Sequence, residues 1–330
     1  MDPSTGSASR SSAPLDLDDM RLLVVLGDEL HFGRAAQRLH LSQPGLSYRV
    51  KRMEMALGYE LVSRSRRGVE LTAAGHAVLQ GATRMLTEAS RLADDGGRIA
   101  RGEAATLRVA FVGTALYSLL PDVLRELRRR HPDLRLVLEE QKTANQVRAL
   151  LLGQLDLAVV HLPLPPGIDL HSEVAMTDSV GLALPVDHAL AGRDAVALAE
   201  LAEEPFVLFP RELEPQTYDS YVGACVAAGF APRVAQQATG LQTILGLVAG
   251  GVGVAFVAGS VGRHLARSGV VFRPLLGPAP TLTTGAAWRE PGHSPATALV
   301  RDVIRDVAQN ERRPFTDQTD RSQRLELLLD

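Results

Sequence analysis

The chain has 330 residues, 45% of them apolar, and a formal charge of −3. These values fit a soluble globular protein with two or three cores and no membrane span. A single cysteine, Cys225, excludes an internal disulfide and any cysteine-based zinc site, and points to a reducing cytoplasm. The charge is unevenly spread: residues 31–75 hold eight Arg/Lys against three Glu, so the rest of the chain is acidic.

The first 15 residues are rich in Ser, Gly and Pro, which predicts a disordered tail without signal-peptide character. Residues 17–30 then place Leu17, Met20, Leu23, Val24, Leu26 and Leu30 on a helical stripe. Asp16, Asp18 and Asp19 stand where a helix amino terminus favours acids. A second helix is expected over residues 33–39. A third follows over 43–56, with Ser42 as its N-cap and Pro44 in its first turn. There Leu46, Val50, Met53 and Leu57 face inward, leaving Gln43, Ser47, Arg49 and Arg52 mostly outward.

Helix, turn and polar-faced helix in this order suit a helix-turn-helix that enters the major groove of double-stranded DNA. Gln43 can pair with adenine, Ser47 with either partner, and the Pro44 ring can touch a thymine methyl. Two strand-like pieces, residues 60–63 and 69–72, flank a tip of Arg64, Arg66, Arg67 and Gly68. Such a basic hairpin is a wing for phosphates or the minor groove. An ordinary helical domain with a solvated basic face is the competing reading.

The segment resembles the winged helix-turn-helix of LysR-type transcriptional regulators. The residues that carry the resemblance are Phe32, Ala35-Ala36, Leu39, Ser42-Gln43-Pro44, Ser47, Leu57-Gly58, Leu61, Arg64, Arg67 and Leu71-Thr72-x-Ala74-Gly75. Gly45, Met53 and Val62 are mild departures from the family's pattern. Tyr48 stands where many relatives have arginine, which alters base or phosphate contacts.

From Leu71, the residues Gly75, Val78, Ala82, Met85, Ala89 and Leu92 continue a 4,3 heptad seam that ends at Asp94-Asp95-Gly96-Gly97. A linker helix over residues 76–97, with the seam starting at 71, fits a dimerisation arm; a core helix within one subunit would show the same stripe. The resemblance implies the arm, a homodimer, and a tetramer built as a dimer of dimers.

After residue 105 the pattern alternates strands and helices, an α/β arrangement whose crossovers favour a parallel sheet. The expected body spans residues 105–310. One lobe covers about 105–177 and 281–310, a second about 178–280, and a polar extension follows at 311–330. Two such lobes suit a small molecule between them. The resemblance implies an effector-binding domain like a periplasmic binding protein, with its pocket lined by Val112-Gly113-Thr114, by Lys142 and Thr143, and by Phe209-Pro210. Thr114 and Thr143 stand at helix entrances where they can hold a carboxylate or act as plain caps. Lys142 and His161 suit an anion, or are ordinary loop residues. The opening Phe32-Gly33-Arg34-Ala35-Ala36, residues 111–121 and the Lys142-Thr143 pair look most like the branch controlling aromatic-compound catabolism, so an aromatic or dicarboxylic acid such as muconate is the expected effector.

No cofactor and no metal is expected. The histidines are scattered, Gly250-Gly251-Val252-Gly253 lacks phosphate-loop spacing, and Cys225 lies on the apolar side of a helix without a nearby histidine. An enzyme is thereby disfavoured. A DNA-binding architectural protein with a degenerate body remains the alternative to a ligand-responsive regulator that changes RNA polymerase access.

Overall fold

The structure, a computed structural model, describes residues 15–65, 68–100, 106–290 and 295–311. It divides near Glu103 into two units. Residues 1–14 of the expected tail and residues 312–330 of the expected extension lie outside the described residues.

The first unit opens with α1 (Leu17–Glu29), α2 (Phe32–Arg38) and α3 (Gln43–Leu57). Each helix starts on a side chain that satisfies free backbone donors. Asp16 Oδ1 accepts from Asp19 N–H at 2.7 Å, His31 Nδ1 from Gly33 and Arg34 N–H at 3.1 and 3.2 Å, and Ser42 Oγ from Gly45 N–H at 3.2 Å. Gly58, at φ 80°, ends α3 in the left-handed conformation that glycine adopts most cheaply. The three helices bury Leu22, Leu23, Leu26, Phe32, Leu46, Val50 and Met53 against one another, each large side chain contributing about 1.5–3 kcal/mol.

Strands β1 (Val62–Ser65) and β2 (Gly68–Leu71) pair antiparallel, Val62 opposite Leu71 and Ser65 opposite Gly68. Helix α4 (Ala73–Ala100) follows at once. Thr72 Oγ1 accepts from Gly75 N–H at 2.9 Å and donates to the Glu60 carbonyl at 2.8 Å, so one hydroxyl starts α4 and ties it to the hairpin. A Cβ on Gly75 would collide with the Leu61 carbonyl. Helix α4 includes Gly96 and Gly97 and ends at Ala100, three residues past the expected bound of 97. Two glycines cost a helix about 1 kcal/mol each, a preference that context overrides.

The second unit contains β3 (Thr106–Phe111), a short 3-10 helix (Gly113–Tyr117), α5 (Leu119–Arg130), β4 (Arg135–Glu140), α6 (Thr143–Leu151) and β5 (Leu157–Leu162). Next come β6 (His171–Pro185), β7 (Val196–Ala197), β8 (Pro205–Leu208), α7 (Pro215–Ala227), β9 (Arg233–Gln237) and α8 (Leu241–Ala249). The chain finishes with β10 (Ala255–Ala258), α9 (Gly259–His264), β11 (Val270–Leu276), β12 (Thr281–Trp288) and α10 (Pro295–Glu311).

The main sheet runs β4-β3-β5-β12-β6-β11-β7, with β10 also on β6. Only part of it is parallel, as β4, β3 and β5 are. Strand β12 lies antiparallel to both β5 and β6, and β10 and β11 lie antiparallel to β6. The expectation of a parallel sheet is corrected here: alternating apolar residues look the same in either direction, and β12 returns to the first lobe against the sense of β5.

Strand β6 spans 15 residues. Its first half, too polar to stand out, pairs with β12, and its second half pairs with β10 and β11. It thus passes through both lobes. One core gathers Leu107, Val109, Leu119, Leu157, Trp288 and Ile304; the other gathers Leu182, Leu184, Phe206, Tyr221, Cys225 and Phe256.

Candidate functional site

The face of α3 expected to read DNA is exposed at its amino end. Gln43 and Pro44 are exposed, Ser47 is half-buried, and Tyr48 is 69% exposed. Ser42 and the proline in the first turn orient this end, and Leu46, Val50 and Met53 anchor the opposite face.

Arg49 and Arg52 have a different setting. Arg49 Nη2 donates to Asp19 Oδ1 at 2.9 Å, and Arg52 Nη2 to both oxygens of Asp19 at 2.7 and 2.8 Å. Asp19 is only 3% exposed. Burial by itself would raise its carboxyl, but the hydrogen bonds from Arg49 and Arg52 outweigh it and hold the group below its ordinary value. Glu54, on the same helix, accepts from Leu61 and Val62 N–H at 2.8 and 3.1 Å and so seats the hairpin against α3. Neither Asp19 nor Glu54 stands out in the sequence as a partner of distant residues. Arg64 belongs to β1, whereas Arg66 and Arg67 lie outside the described residues.

In the second unit a chain of hydrogen bonds crosses from one lobe to the other. Thr114 Oγ1 lies 2.8 Å from His161 Nε2, and His161 Nδ1 lies 2.7 Å from Glu214 Oε2. Thr143 Oγ1 donates to the same Glu214 oxygen at 3.1 Å while accepting from His161 N–H at 3.1 Å. Thr114, Thr143 and His161 come from the first lobe. Glu214 comes from the second, immediately before α7.

Thr143, His161 and Glu214 are buried, at 5%, 8% and 4% exposure. Burial pushes the Glu214 carboxyl up, yet the charge and hydrogen bond of His161, the charge of Lys142 and the Thr143 hydroxyl bring it below the ordinary glutamate value. The two threonines therefore spend their hydroxyls on this cluster. A second tie lies alongside: Gln242 Nε2 donates to Tyr117 Oη at 3.0 Å, and His264 Nδ1 lies 2.9 Å from the Tyr117 carbonyl.

The structure thus brings together Thr114, Thr143 and His161, with Lys142 adjoining. Val112 instead turns its side chain into the first-lobe core at 1% exposure. A side chain on Gly113 would meet the Glu140 carboxylate. Phe209 packs edge-on against Tyr218 and Tyr221, with ring centroids 6.1 and 6.0 Å away. Pro210 starts the short 3-10 turn (Arg211–Leu213) that delivers Glu214. The group that reaches the first lobe is four residues beyond the expected Pro210. Its sequence signal is an acid directly before a helix-opening proline, which reads as a cap and does not reveal a histidine 53 residues away as its partner.

Among the described residues no His/Cys/Asp/Glu group could hold a metal ion, and no helix is long and apolar enough to cross a membrane. Cys225 is fully buried, and burial pushes its thiol up to about 11. A thiol with that value is protonated at neutral pH and poorly reactive.

The family model described as "LysR substrate binding domain" matches residues 100–309. That for "Bacterial regulatory helix-turn-helix protein, lysR family" matches residues 17–76. The chain belongs to the LysR family. This LysR regulator is accordingly a DNA-binding protein with an effector domain and not an enzyme.

It is 34% identical to the HTH-type transcriptional regulator AlsR of Bacillus subtilis (strain 168), over 85% of this chain and 92% of the relative. To the HTH-type transcriptional regulator CatR of Pseudomonas putida it is 37% identical, over 75% and 84%. Full-length CbnR in complex with its target DNA superposes with a TM-score of 0.65 at 27% identity, over 89% of this chain and 100% of that one. The effector-binding domain of BenM with its effector benzoate superposes at 0.55 with 26% identity, over 65% and 96%.

Proposed function

We propose that this LysR regulator reads dyad-symmetric promoter DNA as a homodimer joined along α4, and responds to a small aromatic or dicarboxylic acid bound between its lobes. The observation that carries this reading is the coexistence, in one chain, of an exposed face on α3 and a buried hydrogen-bond chain spanning two lobes. Gln43, Pro44, Ser47 and Tyr48 supply base contacts. Arg64, Arg66 and Arg67 supply backbone contacts from the wing.

Met85 and Leu92, 53% and 67% exposed and one heptad apart on α4, give the dimer its seam. In this reading two dimers join as a tetramer in the cytoplasm. Ligand alters their relative placement and hence DNA bending and RNA polymerase access, which requires two states of different ligand affinity. BenM, whose effector domain carries benzoate, supports an acid as the ligand class.

Binding isotherms on operator and random duplexes at several salt concentrations test the DNA half. Gln43→Ala or Ser47→Ala should cost about 1–3 kcal/mol on operator and little on random DNA. Arg66→Ala should weaken both duplexes and lower the salt slope by about one. Equal losses for all three variants on both duplexes would refute these roles.

A further inference from the structure

We propose that Glu214 is a tethered stand-in for the effector's carboxylate: it occupies a carboxylate receptor on the first lobe, and an incoming acid binds by displacing it. The inference rests on the reading above that a carboxylic acid enters between the lobes.

The receptor is assembled by the first lobe alone. Thr143 Oγ1 accepts the His161 N–H, which leaves the hydroxyl proton to point outward, where Glu214 Oε2 takes it. Thr114 Oγ1 engages His161 Nε2, which aims Nδ1 at the same oxygen. Lys142 adds positive potential, and Thr143 opens α6, whose free N–H groups favour an anion. None of these orienting contacts needs the second lobe, so the receptor persists when Glu214 leaves.

Glu214 itself is bound in a lopsided way. Oε2 takes both hydrogen bonds, whereas the buried Oε1 accepts none from the described residues. A carboxylate placed only to brace two lobes gains most when both oxygens are paired, because a buried unpaired oxygen costs free energy. A free carboxylate entering the same receptor is not bound by the second-lobe backbone and can turn both oxygens toward donors. Glu214 also arrives at the end of a three-residue 3-10 turn, so its removal need not dismantle either core.

The test is calorimetric titration of the full chain with benzoate and with cis,cis-muconate, for wild type, E214Q and E214A. If Glu214 is seated about nine-tenths of the time, its removal raises apparent affinity about tenfold. The expected order of affinity is E214A above E214Q above wild type for at least one acid. Without ligand, both variants should also shift the operator footprint toward that of acid-saturated wild type.

Equal or weaker acid binding by both variants would show a plain interlobe brace and overturn the proposal, as would binding of neither acid to E214A. Melting curves guard the comparison. If E214A does not fold, the isosteric E214Q decides, and if neither folds, Glu214 is a structural strut. Should the acids bind in the expected order while no footprint changes, the tether stands and the regulatory reading of the cleft fails instead.

Discussion

Asp19 gathers Arg49 and Arg52 from α3 onto a carboxylate that is almost fully buried. Both arginines are on the outward face that the sequence indicates, but their charge is already engaged by α1. Asp19→Asn should release them toward phosphates, raising affinity for random duplex and steepening its salt dependence by about one to two. An unchanged salt slope in binding isotherms would show that the arginines contact DNA while paired. The same variant should lose on the order of 1–2 kcal/mol of stability at neutral pH, since water partly replaces the lost partner of the half-exposed Arg52. Because the Asp19 carboxyl is held below its ordinary value, that contribution is complete above about pH 5. It is lost as pH falls through the lower folded value, arginine staying charged throughout. Urea unfolding of both proteins from pH 7 to pH 3 should show the difference shrinking on the acid side only.

Helix α4 shows how one periodicity serves two purposes. Near its start, Leu71, Val78 and Leu79 pack on the core of the first unit and Gly75 lies under Leu61. Farther along, Met85 and Leu92 continue the seam into solvent. The core-helix reading thus holds for the first stretch and leaves the second to the proposed dimer arm, a division that the 4,3 spacing cannot show. Gly75→Ala should cost about 1–3 kcal/mol through the forced movement of the Leu61 backbone, measured by thermal unfolding. Met85→Asp with Leu92→Asp should leave the melting temperature nearly unchanged and convert the dimer to monomer in sedimentation equilibrium. A persisting dimer would place the seam elsewhere. The helix runs to Ala100, three residues past the expected bound of 97, because propensity is a weak local force once a long helix is under way.

Across the second unit, the two lobes are joined by β6, which runs through both, and by side chains that reach across. These bridges are unequal. The Gln242–Tyr117 bond is exposed, so Tyr117→Phe should cost about 0.5–1 kcal/mol at most and leave acid affinity within about threefold of wild type. The Glu214 bridge is buried and charged, and its removal should have the larger effect in the same calorimetry. If Tyr117→Phe changed affinity as much as E214Q, any interlobe bond would do and the particular chemistry of Glu214 would not matter. The alternation of strands and helices in this unit was legible in the sequence, whereas β7, α9 and the first half of β6 carry no such signal. The first two are short, and the first half of β6 buries only Ala175 and Asp178, which are three apart and give no alternation.

By itself the sequence determined the winged helix-turn-helix, the linker helix and the α/β character of the body. Each rests on caps, turn residues and apolar periods that act within a few positions of one another. It also marked Thr114, Thr143 and His161 as residues to watch. Only the tertiary structure decided that Arg49 and Arg52 answer to Asp19, that the main sheet is mixed, and that Glu214 crosses between lobes to His161. Those outcomes depend on residues 30 to 53 positions apart, or on strand direction, and alternation carries no record of either.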